Sequence, residues 1–414
     1  MKDDILKNIN NPKQLERLYR ENKQGFRLEF NQIYPEFSGN ALADCWNERL
    51  NYESQEISWG TRSELVFIIL GSLLAGIIAK LPAFLNFDPQ QFYMRNIGFI
   101  FLPVLAVWFN WKKQIPRSQV LITTLIMVIC LVFINLLPGT QKNDTLILSC
   151  IHLAFILWLV LGISFVGENH QEYSRRIDFL KYNGDLAVMT AIILIAGAIL
   201  TGITIGLLTL IGSDLSRIYR EYVAIFGLAA APIVGTYLVQ TNPQLVGKVS
   251  PIIAKLFTPL VLITLVFYLF AILFSGKDPY NDREFLMIFN FLLIGVLALI
   301  LFSVAEGSSE NQNRTNKIIL LALSVLTIIV NGIALSAIIF RISEWGITPN
   351  RLAILGANLL ILTNLILVTI RIYKATIRKS NLMEVEQLIA RFLPIYGIWA
   401  IVVTFLFPFL FGFR

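Results

Sequence analysis

Two asparagines, Asn331 and Asn358, sit near the middle of long apolar runs, where an unpaired amide is expensive. Counting along two antiparallel helices puts both near mid-membrane, within reach of a direct hydrogen bond. Such a bond is either inter-helical glue worth about 1 kcal/mol or part of a ligand or water site. Thr363 and Asn364 carry the polar character further along the same run. His152 and Asn135 lie in two neighbouring runs and form a second candidate, as a proton relay or as a hydrogen-bonded structural histidine. Arg217, Arg220, Arg341 and Arg351 stand at the ends of runs, on the expected outer face. Arginine suits bidentate capture of phosphate or carboxylate, so these four could hold a lipid headgroup or glycan phosphate. Pairing with Asp214, Glu221 and Glu344 is the competing use.

Other chemistry is missing. The chain has no HExxH, GxSxG, CxxC or GxxxxGK[ST] string, and its two histidines cannot build a three-histidine metal site. No catalytic residue, metal or cofactor is therefore expected. Asp185, Asp214, Glu221, Glu284 and Glu306 all fall at helix ends, which argues against a cation-coupled pump with a mid-depth carboxylate. Asn143 and Asn313 begin glycosylation sequons, but the second is expected to face inside.

The elements that must position these residues follow from composition. The 414 residues are 56% hydrophobic and 15% charged, with a mean hydropathy of +0.67. A soluble chain carries about 25% charged residues, so the solvent here is a bilayer. Apolar runs at roughly 64–85, 96–111, 118–138, 145–167, 185–212, 221–240, 251–275, 284–305, 316–341, 349–373 and 390–412 predict an all-α polytopic transmembrane helix bundle of about 11 spans. The second run is short and holds Pro103, and the fifth is long enough to tilt. With the N-terminus inside, the inner segments hold about 24 of the 34 basic residues, which gives an N-in, C-out orientation. The net charge of +7 is thus topology, and no nucleic-acid partner is implied. Three cysteines, Cys45, Cys130 and Cys150, make no disulfide framework.

Residues 1–62 form the one sizeable polar block, and 63–414 the transmembrane domain. The block holds nine basic and ten acidic residues, so it is no polybasic lipid anchor. No signal peptide is expected, because the first apolar run comes after Ser63. Leu15, Leu18, Tyr19, Phe26, Phe30 and Ile33 recur at helical spacing after Pro12. Leu42, Cys45, Trp46, Arg49 and Leu50 mark a second face behind a Ser38 cap. The spacing predicts a small cytoplasmic helical hairpin that packs on the span ends or docks a partner protein through Trp46 and Leu50. Within the spans, Ala198, Gly202 and Gly206 repeat every four residues, as do Gly227, Ala231 and Gly235. These stripes predict close helix packing, with Pro232 bending the sixth span.

The string Glu344-Trp345-Gly346-Ile347-Thr348-Pro349-Asn350-Arg351 reads as a turn at Gly346, a cap at Thr348 and a helix opening on Pro349. It resembles the "yGiTpnR" signature of a bacterial membrane family catalogued as domain of unknown function 4153. Similar stretches are Leu15-Glu16-Arg17-Leu18-Tyr19-Arg20 through Trp46-Asn47-Glu48-Arg49-Leu50, and Ala231-Pro232 into the seventh span with Pro251 to Phe267. The resemblance would cover most of the chain, and the N-terminal block points to a Bacteroidota-like branch. It implies the fold and a bacterial inner-membrane location, and it carries no settled activity. Three functions stay open. One is transport or translocation of a small molecule or lipid through a helix-bundle cavity, with membrane lipids as partners. The second is a non-catalytic scaffold, sensor or assembly subunit acting through a protein partner. The third is a lipid-linked glycan or phospholipid enzyme.

Overall fold

The computed structural model describes residues 2–21, 23–51, 59–140, 142–168, 172–210, 215–275, 280, 283–307, 314–377 and 382–413. It forms two compact units, Met1–Ser58 and Trp59–Arg414. Every regular element among the described residues is helical.

The first unit holds α1 (Lys2–Lys7), α2 (Pro12–Glu21), α3 (Lys23–Ile33) and α4 (Ala41–Asn51). A two-helix hairpin was expected; the chain instead divides into four helices. The cap of α4 is Asn40 rather than Ser38: its Oδ1 accepts from the backbone of Leu42 at 3.0 Å and Ala43 at 3.2 Å. Gly39, at φ +96°, makes the turn that brings Asn40 there. Trp46 and Leu50 are 4% and 5% exposed. With Leu15, Phe26, Phe30 and Ile33 they are the unit's own core, so neither presents a face to a partner. Arg49 ties α4 to α2. Its guanidinium lies 4.6 Å from the Trp46 ring centroid and meets Glu16 Oε2 at 2.8 Å. The hydrogen bond from Arg20, with Arg49 beside it, holds the Glu16 carboxyl below its usual range.

The second unit is an integral, multi-pass helical bundle. Its helices are α5 (Arg62–Leu85), α6 (Pro89–Lys112), α7 (Arg117–Leu136), α8 (Asp144–Val166), α9 (Tyr173–Leu210), α10 (Leu215–Ile218), α11 (Ile225–Thr241), α12 (Pro243–Ser275), α13 (Arg283–Gly307), α14 (Arg314–Trp345), α15 (Pro349–Ile377), α16 (Met383–Ile401) and α17 (Phe407–Leu410). Where about eleven spans were expected, nine helices among the described residues are long and apolar enough to cross a membrane. At α12 and α13 the described residues give shorter apolar helices, Ala254–Phe267 and Leu292–Ala305. The second span runs for 24 residues rather than 96–111, because Asp88 caps it and Pro89 takes its first position. Exposed apolar rows such as Leu121, Ile122 and Leu125 on α7, and Ile195, Ile199 and Ile203 on α9, form a perimeter suited to hydrocarbon.

Two apolar cores organise the bundle. One joins α5, α6, α7, α8 and α11 around Trp108 and Phe109. The other joins α12, α13, α14, α15 and the start of α16 around Leu323, Ile300 and Leu365. Helices α9 and α16 contribute to both, so they form the seam between the halves.

Candidate functional site

The Asn331–Asn358 bond is not made. Asn358 Nδ2 donates instead to Asn290 Oδ1 on α13 at 2.9 Å. Register explains this. Asn331 lies fourteen residues before α14 ends, about 21 Å at 1.5 Å per residue, whereas Asn358 is only about 13.5 Å into α15. Asn364, about 22.5 Å into α15, is the residue level with Asn331. Asn331 is fully buried and neither of its amide atoms has a hydrogen-bond partner. Asn364 donates to Tyr396 Oη on α16 at 2.7 Å, and its Oδ1 has no partner. Thr363 turns its hydroxyl back to Leu359 O at 2.8 Å.

Asn135 does not bond His152 either. It forms a reciprocal amide pair with Asn96 on α6, at 2.8 and 3.0 Å. Arg95, next to Asn96, donates to Ile134 O at 2.6 Å, Leu137 O at 2.9 Å and Gly139 O at 3.1 Å, capping the end of α7. His152 Nδ1 bonds Leu148 O of its own helix at 2.8 Å. That is a local structural bond.

The four expected anion ligands have other roles or stand exposed. Arg217 pairs with Glu221 at 2.8 Å, and Arg220 is exposed. Arg351 donates to Trp345 O at 2.8 Å and Gly346 O at 2.7 Å, which closes the turn before α15. Arg341 and Arg351 both lie near the Trp345 ring, at 5.3 and 5.6 Å. Gly346 has φ +75°, and Thr348 Oγ1 accepts from Arg351 N at 3.3 Å.

The small-residue stripes divide. A Cβ on Gly235 would stand 2.9 Å from Thr190 Oγ1 and 3.2 Å from Leu186 Cδ1, so α11 presses on the first half of α9 there. Ala231 is buried. Ala198 is exposed, and Gly202 and Gly227 have open space where a Cβ would be. The expected stripe-to-stripe seam therefore fails because the second half of α9 lies on the perimeter. Gly206 is outside the residues whose surroundings are described.

A cavity lies where the sequence offered no polar signal. It has a volume of about 480 Å³ and opens between α7, α8, α9 and α16. On α8 its wall is Ile156, Leu159, Val160, Ile163 and Val166, one helical face by spacing. On α16 it is Leu393, Pro394, Gly397, Ile398 and Ile401. Of these, Ile163, Ile398 and Ile401 are also exposed on the perimeter, so the mouth faces the apolar surroundings. Of its 14 lining residues only Arg176 is charged, which selects an apolar occupant with one polar end.

Arg176 owes its place to a proline. Pro394 has no N–H, so it cannot bond the carbonyl four residues earlier, that of Ala390. Arg176 Nη1 donates to that carbonyl at 3.1 Å. The guanidinium is thereby pinned at the end of the cavity where α8 ends and α9 begins. Lys113 and Gln119 stand at the same end. Gln119 reaches Ile163 O at 3.2 Å, and Lys113 donates to Phe165 O, so both cap α8. Burial pushes the Lys113 ammonium below its usual range, and the charge of Arg175 adds to the shift. Behind the wall, Phe165 packs on Phe109 at 4.9 Å and on Tyr182 at 5.0 Å, which stiffens that side.

No family model, curated protein or solved structure matches the chain. The site is therefore read from its own geometry. Among the described residues no group of three or more potential metal ligands gathers.

Proposed function

We propose that this integral membrane protein binds and translocates a lipid or lipid-like amphiphile through its helix bundle. The observation that carries the reading is the apolar cavity with Arg176 at one end and its mouth among lipid-facing isoleucines. A volume of about 480 Å³ falls within the roughly 300–1,000 Å³ of small-molecule sites. The Lys and Arg bias supports placing the Arg176 end on the cytoplasmic side. Membership of the bacterial family it resembles, and with it an inner-membrane location, belongs to the same proposal.

Reconstitution tests it. Vesicles containing the purified chain and a tail-labelled phospholipid are expected to lose most of their fluorescence to an impermeant quencher added outside. Protein-free vesicles keep the inner-leaflet signal. Equal protection with and without protein would rule out translocation. The second reading, a scaffold or assembly subunit acting through a partner, is favoured by one observation: residues 1–58 carry a core of their own. It predicts a stoichiometric protein partner and no lipid movement.

A further inference from the structure

We infer that the cavity takes one acyl chain of an anionic phospholipid and that Arg176 receives its phosphate. This rests on the lipid reading above and names the class of lipid. Length is the first argument. From Ile156 to Val166 the α8 wall runs ten residues, about 15 Å at 1.5 Å per residue. A bilayer's hydrocarbon core is about 30 Å thick, so the cavity spans one leaflet. Volume agrees: about 480 Å³ is the size of a site for a small or drug-sized molecule, room for an acyl chain.

Charge is the second argument. Val166 is the last residue of α8, so the level of Arg176 is the level of lipid headgroups. Arginine presents a planar fork of donors matched to phosphate oxygens, and its hold on Ala390 O fixes the direction of that fork. A second guanidinium is close. Arg176 lies 5.8 Å and Arg391 5.0 Å from the centroid of the same Tyr173 ring, so the two groups flank one aromatic. Nearby, Glu172 is bound by Arg175 at 2.9 Å and Glu384 by Arg371 at 2.6 Å. With Arg176 and Arg391 already at this corner, a zwitterionic headgroup would bring a third cation to it, which an anionic one does not.

The test uses the full chain in mild detergent, offered equal amounts of phosphatidylglycerol and phosphatidylcholine and read by native mass spectrometry. Wild type is expected to retain phosphatidylglycerol about tenfold better, the scale of one charge-assisted bond. Arg176→Gln keeps an N–H for Ala390 O but loses the charge, and its lipid ratio is expected to approach one. Arg176→Lys keeps the charge and most of the preference. Ile163→Trp, which fills the cavity from α8, is expected to lower both lipids together. An unchanged ratio in Arg176→Gln would overturn the inference, as would displacement of phosphatidylglycerol by millimolar inorganic phosphate alone. Equal retention of both lipids by wild type, lowered by Ile163→Trp, would remove the headgroup assignment and leave the lipid reading standing. Retention of neither lipid would remove both.

Discussion

The link between Pro394 and Arg176 makes a prediction that a list of contacts would not. Ala390 is fully buried, so its carbonyl cannot turn to water when the helix fails to supply an N–H. In the wild type, Arg176→Ala removes a bond from a charged donor and leaves that carbonyl orphaned, a loss of about 2 kcal/mol. Pro394→Ala supplies the missing N–H from position 394 itself. In that background Ala390 O has a partner without Arg176, and Arg176→Ala is expected to cost about 1 kcal/mol less. The difference exceeds the ~0.3–0.5 kcal/mol within which independent sites add. Reversible unfolding of the four proteins in mixed micelles, titrated with a denaturing detergent, measures it. If the two substitutions add within that scatter, the proline does not explain the arginine's position, and the pinned guanidinium has to be abandoned.

Three further outcomes follow from contacts elsewhere. Asn331→Leu replaces an amide with no partner by an apolar group of similar size, and is expected to be neutral or to stabilise by up to about 2 kcal/mol. Asn358→Leu removes the Nδ2 donor to Asn290 Oδ1 and is expected to cost about 1–2 kcal/mol, so thermal midpoints in detergent should rank the pair in that order. Gly356→Val drives two methyl groups into the Trp399 ring, which already packs over this glycine; a loss of about 1–3 kcal/mol at the α15–α16 contact is expected, and an unshifted midpoint would refute the close approach. Glu16 gives a pH dependence. Its carboxyl is held down by Arg20 and Arg49, so its contribution is complete above the usual value of 4.5 and is lost as pH falls through the lowered one. Hydrogen-exchange protection over residues 12–51 in the full chain, taken relative to the intrinsic rate at each pH, should fall below about pH 4.5, and Glu16→Gln should flatten that dependence.

What the sequence determined by itself was set by one-dimensional properties. Run length and charge content made α5 to α9 and α14 to α16 helices suited to a bilayer, because twenty apolar residues have few other stable states in hydrocarbon. Capping chemistry read equally well at Gly346 and Thr348, where turn, cap and helix start lie within four residues. Partnership was the part decided by tertiary structure. Asn331 and Asn358 share polarity, but helix register, which depends on where the turn at Gly346 falls, put them about 7.5 Å apart in depth. Asn96 and Arg95 were overlooked because their partners lie thirty-nine or more residues away. Trp46 gave the pattern of a surface anchor and became core, since amphipathic spacing shows that a face is apolar and leaves open what covers it. The cavity was the least legible feature. Each of its walls is an ordinary apolar helix face, and a space between faces exists only once α8 and α16 are brought together and fail to fill it. Its one polar residue is there because a proline on another helix, more than two hundred residues along the chain, left a carbonyl without a donor.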